Sequence, residues 1–434
     1  MPKPRVAVII GAGLAGCLAA RATRGHVDKV IIVERDKLPS GPYFRKGVPQ
    51  SRQAHILLEG GQRAIQELVP GAIRAMLQAG AVQLGMPDGF RWFGTAGWLS
   101  SEPTGLNAIS CTRPLIDWAV QQEVFTDPGV QVFDDTECVG LIMRNNSVAG
   151  VRAMRRGSRS AVEFHADFVV DASGSSSRVS EWIGAVTPWA LPPKHTSRIA
   201  FSYATRFYTR TPAGGNQGIV VQATPESPRF GIMVPVEENR WAVCLGGLEA
   251  PPTTVDGFLS YAGTLRSLAI DESISLADPL SSVRGNRPKM GRLLRFDQNR
   301  AGVNGLIVLG DALCSTNPIY SLGMSMAAMQ ARALAYVLVR YGRTADWTAR
   351  AQKAVLETSK PGWKLASDGD ASYLDARGTA RLRLQLKQHY FHKLMARSID
   401  DPHLSKVVFE VLSLTSPAHH LFRPRVVVSA LKSR

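Results

Sequence analysis

Six residues, Gly11-Ala12-Gly13-Leu14-Ala15-Gly16, stand between a short apolar run and a helix-forming one, and they restrict the fold more than any other feature of the chain. Arg5 to Ile10 reads R-V-A-V-I-I, the β-branched composition of a buried parallel strand. Cys17 to Thr23 favours helix, and Val30 to Val33 forms a second strand that ends in Glu34. Together these make a strand–turn–helix–strand unit of about 30 residues, the signature of a Rossmann-type α/β fold. Gly11 permits the tight turn, Gly13 leaves room for a pyrophosphate, and Gly16 lets helix and strand approach. The helix start then offers free N–H groups and a positive dipole end to the phosphates. Glu34 is placed to accept hydrogen bonds from a ribose diol and argues against a 2′-phosphate there, so FAD or NAD is expected rather than NADP.

A second strand-and-acid motif lies far downstream. Gly305 to Leu309 is apolar and runs into Gly310-Asp311-Ala312. Asn317-Pro318-Ile319-Tyr320-Ser321-Leu322-Gly323-Met324 follows, and then a small-residue helix from Ser325 to Leu334. Asp311 suits a sugar-alcohol hydroxyl, and a helix beginning near Gly323 can stabilise negative charge on a ring.

In these motifs the chain resembles the para-hydroxybenzoate-hydroxylase-like flavoprotein monooxygenases, across roughly Arg5 to Leu334. The resemblance implies FAD as cofactor and oxygen transfer from a C4a-hydroperoxyflavin. It further implies that Gly310 and Asp311 contact the ribityl and pyrophosphate region, and that Pro318, Gly323 and Met324 line the isoalloxazine. A narrower likeness, to bacterial flavin epoxidases of polyether and terpenoid biosynthesis of the lasalocid type, rests on several short motifs. These are Arg45-Lys46-Gly47-Val48-Pro49-Gln50, Ala54-His55, Glu59-Gly60-Gly61, Pro87-Asp88-Gly89, Arg113 and Phe422-Arg423-Pro424-Arg425. By that likeness Arg45 reaches the FAD phosphates, Arg113 lies along the cofactor, and the backbone of Cys138 meets the adenine. The cofactor site so implied comprises Gly11, Ala12, Gly13, Leu14, Ala15, Gly16, Glu34, Arg35, Arg45, Lys46, Arg113, Cys138, Gly310, Asp311, Pro318, Gly323 and Met324. One departure stands out: Asp171-Ala172-Ser173-Gly174 puts Ser173 where the family has an aspartate tied to cofactor and NADPH handling. The electron donor is therefore left open between NAD(P)H acting directly and a separate flavin reductase.

The activity so implied is epoxidation of an alkene in a lipophilic polyketide or terpenoid, with O2 as co-substrate. Aromatic hydroxylation of a phenol, reduction of prenyl double bonds, and a nonenzymatic FAD-fold binder are the alternatives. A halogenase is disfavoured because that group's tryptophan-rich motif is absent. Epoxidation by an activated flavin requires no protein acid or base, since the cofactor carries the chemistry. No catalytic residue is therefore assigned, and His55 is taken as a histidine satisfied by backbone partners. No metal-ligand spacing occurs, and His419-His420 reads as a surface pair. Between the flavin motifs, Phe90 to Trp98 and Ile199 to Cys244 are strand-like and aromatic. They offer Trp92, Phe201, Tyr203, Phe230, Met233 and Trp241 as candidate wall residues of a substrate pocket, though core packing is the commoner role for each. Pro235 to Trp241 reads as a hairpin.

The chain's 434 residues exceed one compact core. The expected division is a discontinuous FAD-binding domain (1–80, 105–185 and 285–345), an inserted substrate-binding sheet domain (81–104 and 186–284) and a C-terminal helical region (346–434). Five separated cysteines suggest reduced thiols in a cytoplasmic protein, with no room for a signal peptide before Val6. No apolar run is long enough for a membrane span, so no stable membrane insertion is expected. The net charge of +16 raises a nucleic-acid partner. The basic residues lack any accompanying motif, however, and no nucleic-acid partner is expected. From Ala345 to Arg434 there are 15 Lys/Arg and 8 Asp/Glu, read as a solvated helical cap across the two domains, with a membrane-surface helix as the alternative.

Overall fold

The computed structural model describes residues 4–432 apart from 159, 188–190, 211–214, 287–288, 299–302, 343 and 375–377. At its centre is a five-stranded parallel sheet in the order Leu306–Val308, Phe168–Asp171, Val6–Ile10, Lys29–Val33, Val130–Phe133. The register pairs Ile10 with both Asp171 and Val33, so three strand ends meet at one level. Four of the five residues in Val6–Ile10 are buried, which is why this strand is apolar throughout rather than alternating. The first helix is longer than its sequence suggests, Leu14–Arg24. It lies close on the sheet because a Cβ at Gly16 would stand 1.8 Å from the Gly11 carbonyl oxygen.

Gly323–Tyr341 packs against both Leu14–Arg24 and Glu59–Leu68. Glycine makes the second contact possible, since a Cβ on Gly61 would lie 2.6 Å from Ser325 Cα. Helix Trp347–Ala371 then lies along Gly323–Tyr341. It also finishes the parallel sheet: Gln352 accepts from Val308 N–H at 2.6 Å and donates to Val308 C=O at 3.1 Å. A side-chain amide thus satisfies the edge strand as a further strand would.

The other large layer is a seven-stranded sheet, ordered Arg284–Asn286, Ser202–Thr209, Arg240–Gly247, Arg229–Val236, Gly218–Val221, Phe90–Gly94, Gly97–Trp98. Segments far apart in the chain meet there, with Phe90–Gly94 parallel to Gly218–Val221. The hairpin read at Pro235–Trp241 joins Arg229–Val236 to Arg240–Gly247 through Glu238 and Asn239, both at positive φ (61° and 53°). One face of this sheet packs on helices Val255–Ala262 and Ala269–Ser275 in a core of its own.

The stretch 346–434 packs in two ways. Trp347, Ala351, Val355 and Leu356 belong to the core of the parallel sheet. Leu394, Leu404, Val408 and Val426 form a separate small core. Because Gly61 abuts backbone rather than a flexible side-chain tip, Gly61→Val should lower the unfolding free energy by about 2–3 kcal/mol in denaturant titration. Unchanged stability would mean that the two helices tolerate a wider spacing.

Candidate active site

A chain of buried charges underlies the glycine turn. Glu34 accepts from Ala12 N–H at 2.7 Å and from Asp36 N–H at 2.9 Å. Arg45 Nη1 lies 3.5 Å from Glu34, and Arg45 Nη2 lies 3.5 Å from Asp117. Asp117 in turn accepts from Arg113 Nε at 2.8 Å and from Leu14 N–H at 3.1 Å. Burial opposes the charge on Arg45, but Asp117 and Glu34 outweigh it and raise its pKa. Arg45 is positioned because its loop is stitched to the strand end: Gly47 N–H donates to Asp36 and Arg35 donates to Gly47 C=O, both at 2.9 Å.

Two features of this chain fit an anionic ligand. Arg45 Nη1 is buried and makes no hydrogen bond among the described residues. A Cβ on Gly13 would lie 3.8 Å from a guanidinium nitrogen of each of Arg113 and Arg45, so the glycine leaves open a space that two cations border.

At the other end Gly310 has φ +65°, and a Cβ there would lie 2.8 Å from Ala15 Cβ, so the late motif abuts the fingerprint helix directly. Gly310 N–H donates to Gln330 at 2.5 Å, which aims the turn. Burial raises the Asp311 carboxyl, while Arg113, Arg292 and Lys289 pull it down. The start of helix Gly323–Tyr341 faces Asp311, since a Cβ on Gly323 would lie 3.5 Å from Asp311 Oδ1. The short turn Pro318–Tyr320 is pinned from helix Trp347–Ala371: Asp370 accepts from Asn317 Nδ2 at 3.2 Å and from the Tyr320 hydroxyl at 3.1 Å. Ser173 lies in the cleft wall and donates its hydroxyl to Asp171 at 2.6 Å. Asp171 is fully buried and also accepts from Ser177 at 2.6 Å, so the acid of this loop holds the loop itself.

One cavity of about 2350 Å³ joins these ends and continues beyond them. Gly11, Gly13, Leu14, Ala15, Glu34, Arg35, Arg45, Lys46, Arg113, Cys138, Asp311, Pro318, Gly323 and Met324 all line it. Ala12, Gly16 and Gly310 do not; they act through the backbone, Ala12 by its N–H to Glu34 and the two glycines by close packing. The cavity extends into a chamber lined by Trp92, Phe201, Tyr203 and Phe230 and by Tyr373, Tyr390 and Phe391 of the C-terminal stretch, with the Phe201 and Tyr373 rings edge to face at 5.0 Å. Met233 and Trp241 are not in that wall. Alternation along their strands turns them to the opposite face, into the core with Phe258 and Ile270.

His55 lines the same cavity beside Arg113. Burial, with help from Arg113, lowers its pKa from 6.5 to about 4, so the ring is neutral at pH 7. Nδ1 is 2.8 Å from Gln53 C=O and therefore carries the proton, leaving Nε2 as an acceptor.

Residues 7–185 match the family model described as FAD dependent oxidoreductase. A protein of Mycobacterium tuberculosis, Protein Rv3254, is 29% identical over 384 residues, which cover 85% of this chain and 80% of that protein. Among solved structures, the flavin-dependent brominase Bmp2 superposes with a TM-score of 0.70 at 16% identity, covering 94% of this chain and 92% of that one. PqsL, a probable FAD-dependent monooxygenase from Pseudomonas aeruginosa, superposes with a TM-score of 0.64 at 16% identity, covering 88% and 98%. The cofactor is FAD, and the chain is an FAD-dependent oxidoreductase built on the fold that these flavoproteins share.

Asp117, Gln330, Asp370 and Gln121, which donates to Ala12 C=O at 2.8 Å, carry much of the site's geometry, and sequence reading misses them. Asp117 alone leaves a trace, as an i,i+4 partner of Arg113 on helix Arg113–Phe125. The others are polar residues within helices whose partners lie from 20 to 109 positions away.

The neutral His55 has a pH signature. Below pH 6.5 the unfolded chain takes up a proton that the folded chain refuses until about pH 4, so stability falls across that window as pH falls. Between pH 7.5 and 5 the wild type should lose about 2 kcal/mol more than His55→Gln in paired denaturant titrations. Parallel losses would show that His55 is solvated.

Proposed function

We propose that the protein is an FAD-dependent monooxygenase that transfers one oxygen atom of O2 to an alkene of a large lipophilic polyketide or terpenoid, an epoxidase. The size of the cavity carries this reading. At about 2350 Å³ it exceeds the roughly 300–1,000 Å³ of an ordinary small-molecule site, so a bulky second ligand fits beside the cofactor. The resemblance to flavin epoxidases in Arg45–Gln50, Ala54-His55 and Glu59–Gly61, and the likeness in fold to PqsL, support the same class.

In this reading Arg45 and Arg113 hold the pyrophosphate above Gly13, with Lys46 and Arg35 at the outer edge. Glu34 faces the adenosine ribose and the Cys138 backbone faces the adenine. Gly310 and Asp311 hold the ribityl chain, and Pro318, Gly323 and Met324 flank the ring. The bound cofactor supplies the oxygen chemistry. The residues of the chain orient the alkene, exclude water with Trp92, Phe201 and Phe230, and direct the helix start at Gly323 toward negative charge. Electrons come from NAD(P)H directly or through a separate flavin reductase.

Two measurements check this reading. Asp311→Ala should purify with its fold intact by circular dichroism but without flavin absorbance; full absorbance would refute the assignment of the late motif. Reduced holoprotein given candidate polyenes under isotopically labelled O2 should yield a product that has lost an alkene and gained one labelled oxygen. A product gaining two hydrogens without O2 would make the protein a double-bond reductase, and oxygen appearing on an aromatic ring would make it a phenol hydroxylase.

A further inference from the structure

The C-terminal helices expose a line of large apolar side chains. On helix Gly378–Arg397, Leu382 and Leu386 are 59% and 61% exposed, and Tyr390 continues the same i,i+4 line. The Tyr390 ring stacks on Phe422, centroids 5.3 Å apart and planes 22° apart, and Phe422 is itself 60% exposed. Helix Pro424–Leu431 packs against Gly378–Arg397 and leaves Val428 and Leu431 exposed as well. A single exposed leucine needs no explanation, but a run of this kind marks a contact surface. Leu386, Tyr390 and Phe422 also line the large cavity, so the line continues from the chamber mouth to the outer surface.

The charge around this line is one-sided. Gly378 to Arg397 contains five Lys/Arg and no Asp/Glu, and Pro417 to Arg434 contains four and none. Lys387, Arg423, Arg425 and Lys432 are exposed. The nearby carboxylates are fewer: Asp368 pairs with Lys364 at 2.7 Å and with Lys387 at 3.3 Å, Glu410 accepts from Ser416 at 3.2 Å, Asp401 accepts from Leu404 N–H at 3.0 Å, and Asp400 is exposed. A second copy of the chain is a poor occupant, because a two-fold contact would set this predominantly cationic surface against itself. A nucleic acid would satisfy the cations and leave the apolar line in water.

We propose that this face docks on the surface of an anionic phospholipid bilayer. Leu382, Leu386, Phe422, Val428 and Leu431 enter the boundary between headgroups and acyl chains, and the flanking cations face the phosphates. The protein lies on the membrane, since no described helix is long and apolar enough to cross one. Docking sets the chamber mouth against the acyl layer, so that an apolar ligand reaches the cavity without crossing water. The cap expected of this region is thus half of what it does: its inner side walls the chamber, and its outer side is a contact face. The proposal concerns a surface and holds whatever reaction the flavin performs.

The test is co-sedimentation of the full-length holoprotein with vesicles of phosphatidylcholine, with and without phosphatidylglycerol. Binding to the anionic vesicles should be at least about tenfold tighter and should weaken with salt. Leu382 and Val428 lie outside the cavity wall, and Leu382→Glu with Val428→Glu should cut vesicle binding about tenfold or more while FAD content and melting temperature stay at wild-type values. Equal binding to both lipids, wild-type binding by the double variant, or retention on heparin without vesicle binding would overturn the proposal. So would a soluble dimer in light scattering that the double variant dissolves, which would assign the face to a second copy.

Discussion

The buried alternation Glu34, Arg45, Asp117, Arg113 is the interaction on which the rest of the site depends. Removing a partner from such a chain costs about 3–5 kcal/mol, because an uncompensated charge is left out of water. The geometry here spreads that cost over four groups and the backbone. Glu34 and Asp117 neutralise the guanidiniums and at the same time take the N–H groups of Ala12 and Leu14, so the glycine turn is clamped from both sides. Two acids against two bases leave Arg45 Nη1 without a hydrogen bond, while Nη2 of the same guanidinium borders the gap above Gly13. The parallel sheet, the Arg45 loop and helix Arg113–Phe125 are thereby held in one arrangement.

From this clamp the cavity continues past the late motif to a chamber with aromatic lining. Gly310 meets Ala15, so the late motif is braced on the same helix that the clamp orients. At Asp311 desolvation outweighs the pull of three cations and raises the carboxyl pKa. The cavity lining also includes Trp92, Phe201 and Phe230, together with residues from the C-terminal stretch. Asp370 ties helix Trp347–Ala371 to the turn Pro318–Tyr320, so that turn and the helix beside it are held as one unit.

Much of the fold around the two glycine motifs was legible in the chain because its signals are local. A strand, three glycines at fixed spacing, a helix and a terminal acid all lie within Arg5–Glu34, and the second motif within Gly305–Leu334; each is a short unit whose backbone demands show in residue type. The helix ends were less legible: Leu14–Arg24 and Gly323–Tyr341 both run beyond their apparent limits, because packing against other helices extends what propensity alone leaves undecided. The chamber wall was legible only in part. Trp92, Phe201, Tyr203, Phe230, Met233 and Trp241 share one composition, but the pleat sends the last two to the opposite face.

What the sequence determined by itself was the dinucleotide unit, its acid at Glu34, the second Gly310-Asp311 motif and the excess of cations near the C-terminus, since each depends on neighbours a few residues away. Tertiary structure alone decided which charges meet. Asp117 lies 72 residues from Arg45 and 83 from Glu34, Gln352 completes a strand 44 residues earlier, and Asp370 reaches back 53 residues to Asn317. Such pairings carry no local pattern, because an aspartate or glutamine in a helix looks the same whether it faces solvent or a buried partner, and only the packed fold supplies the low dielectric and the distance that give it a role.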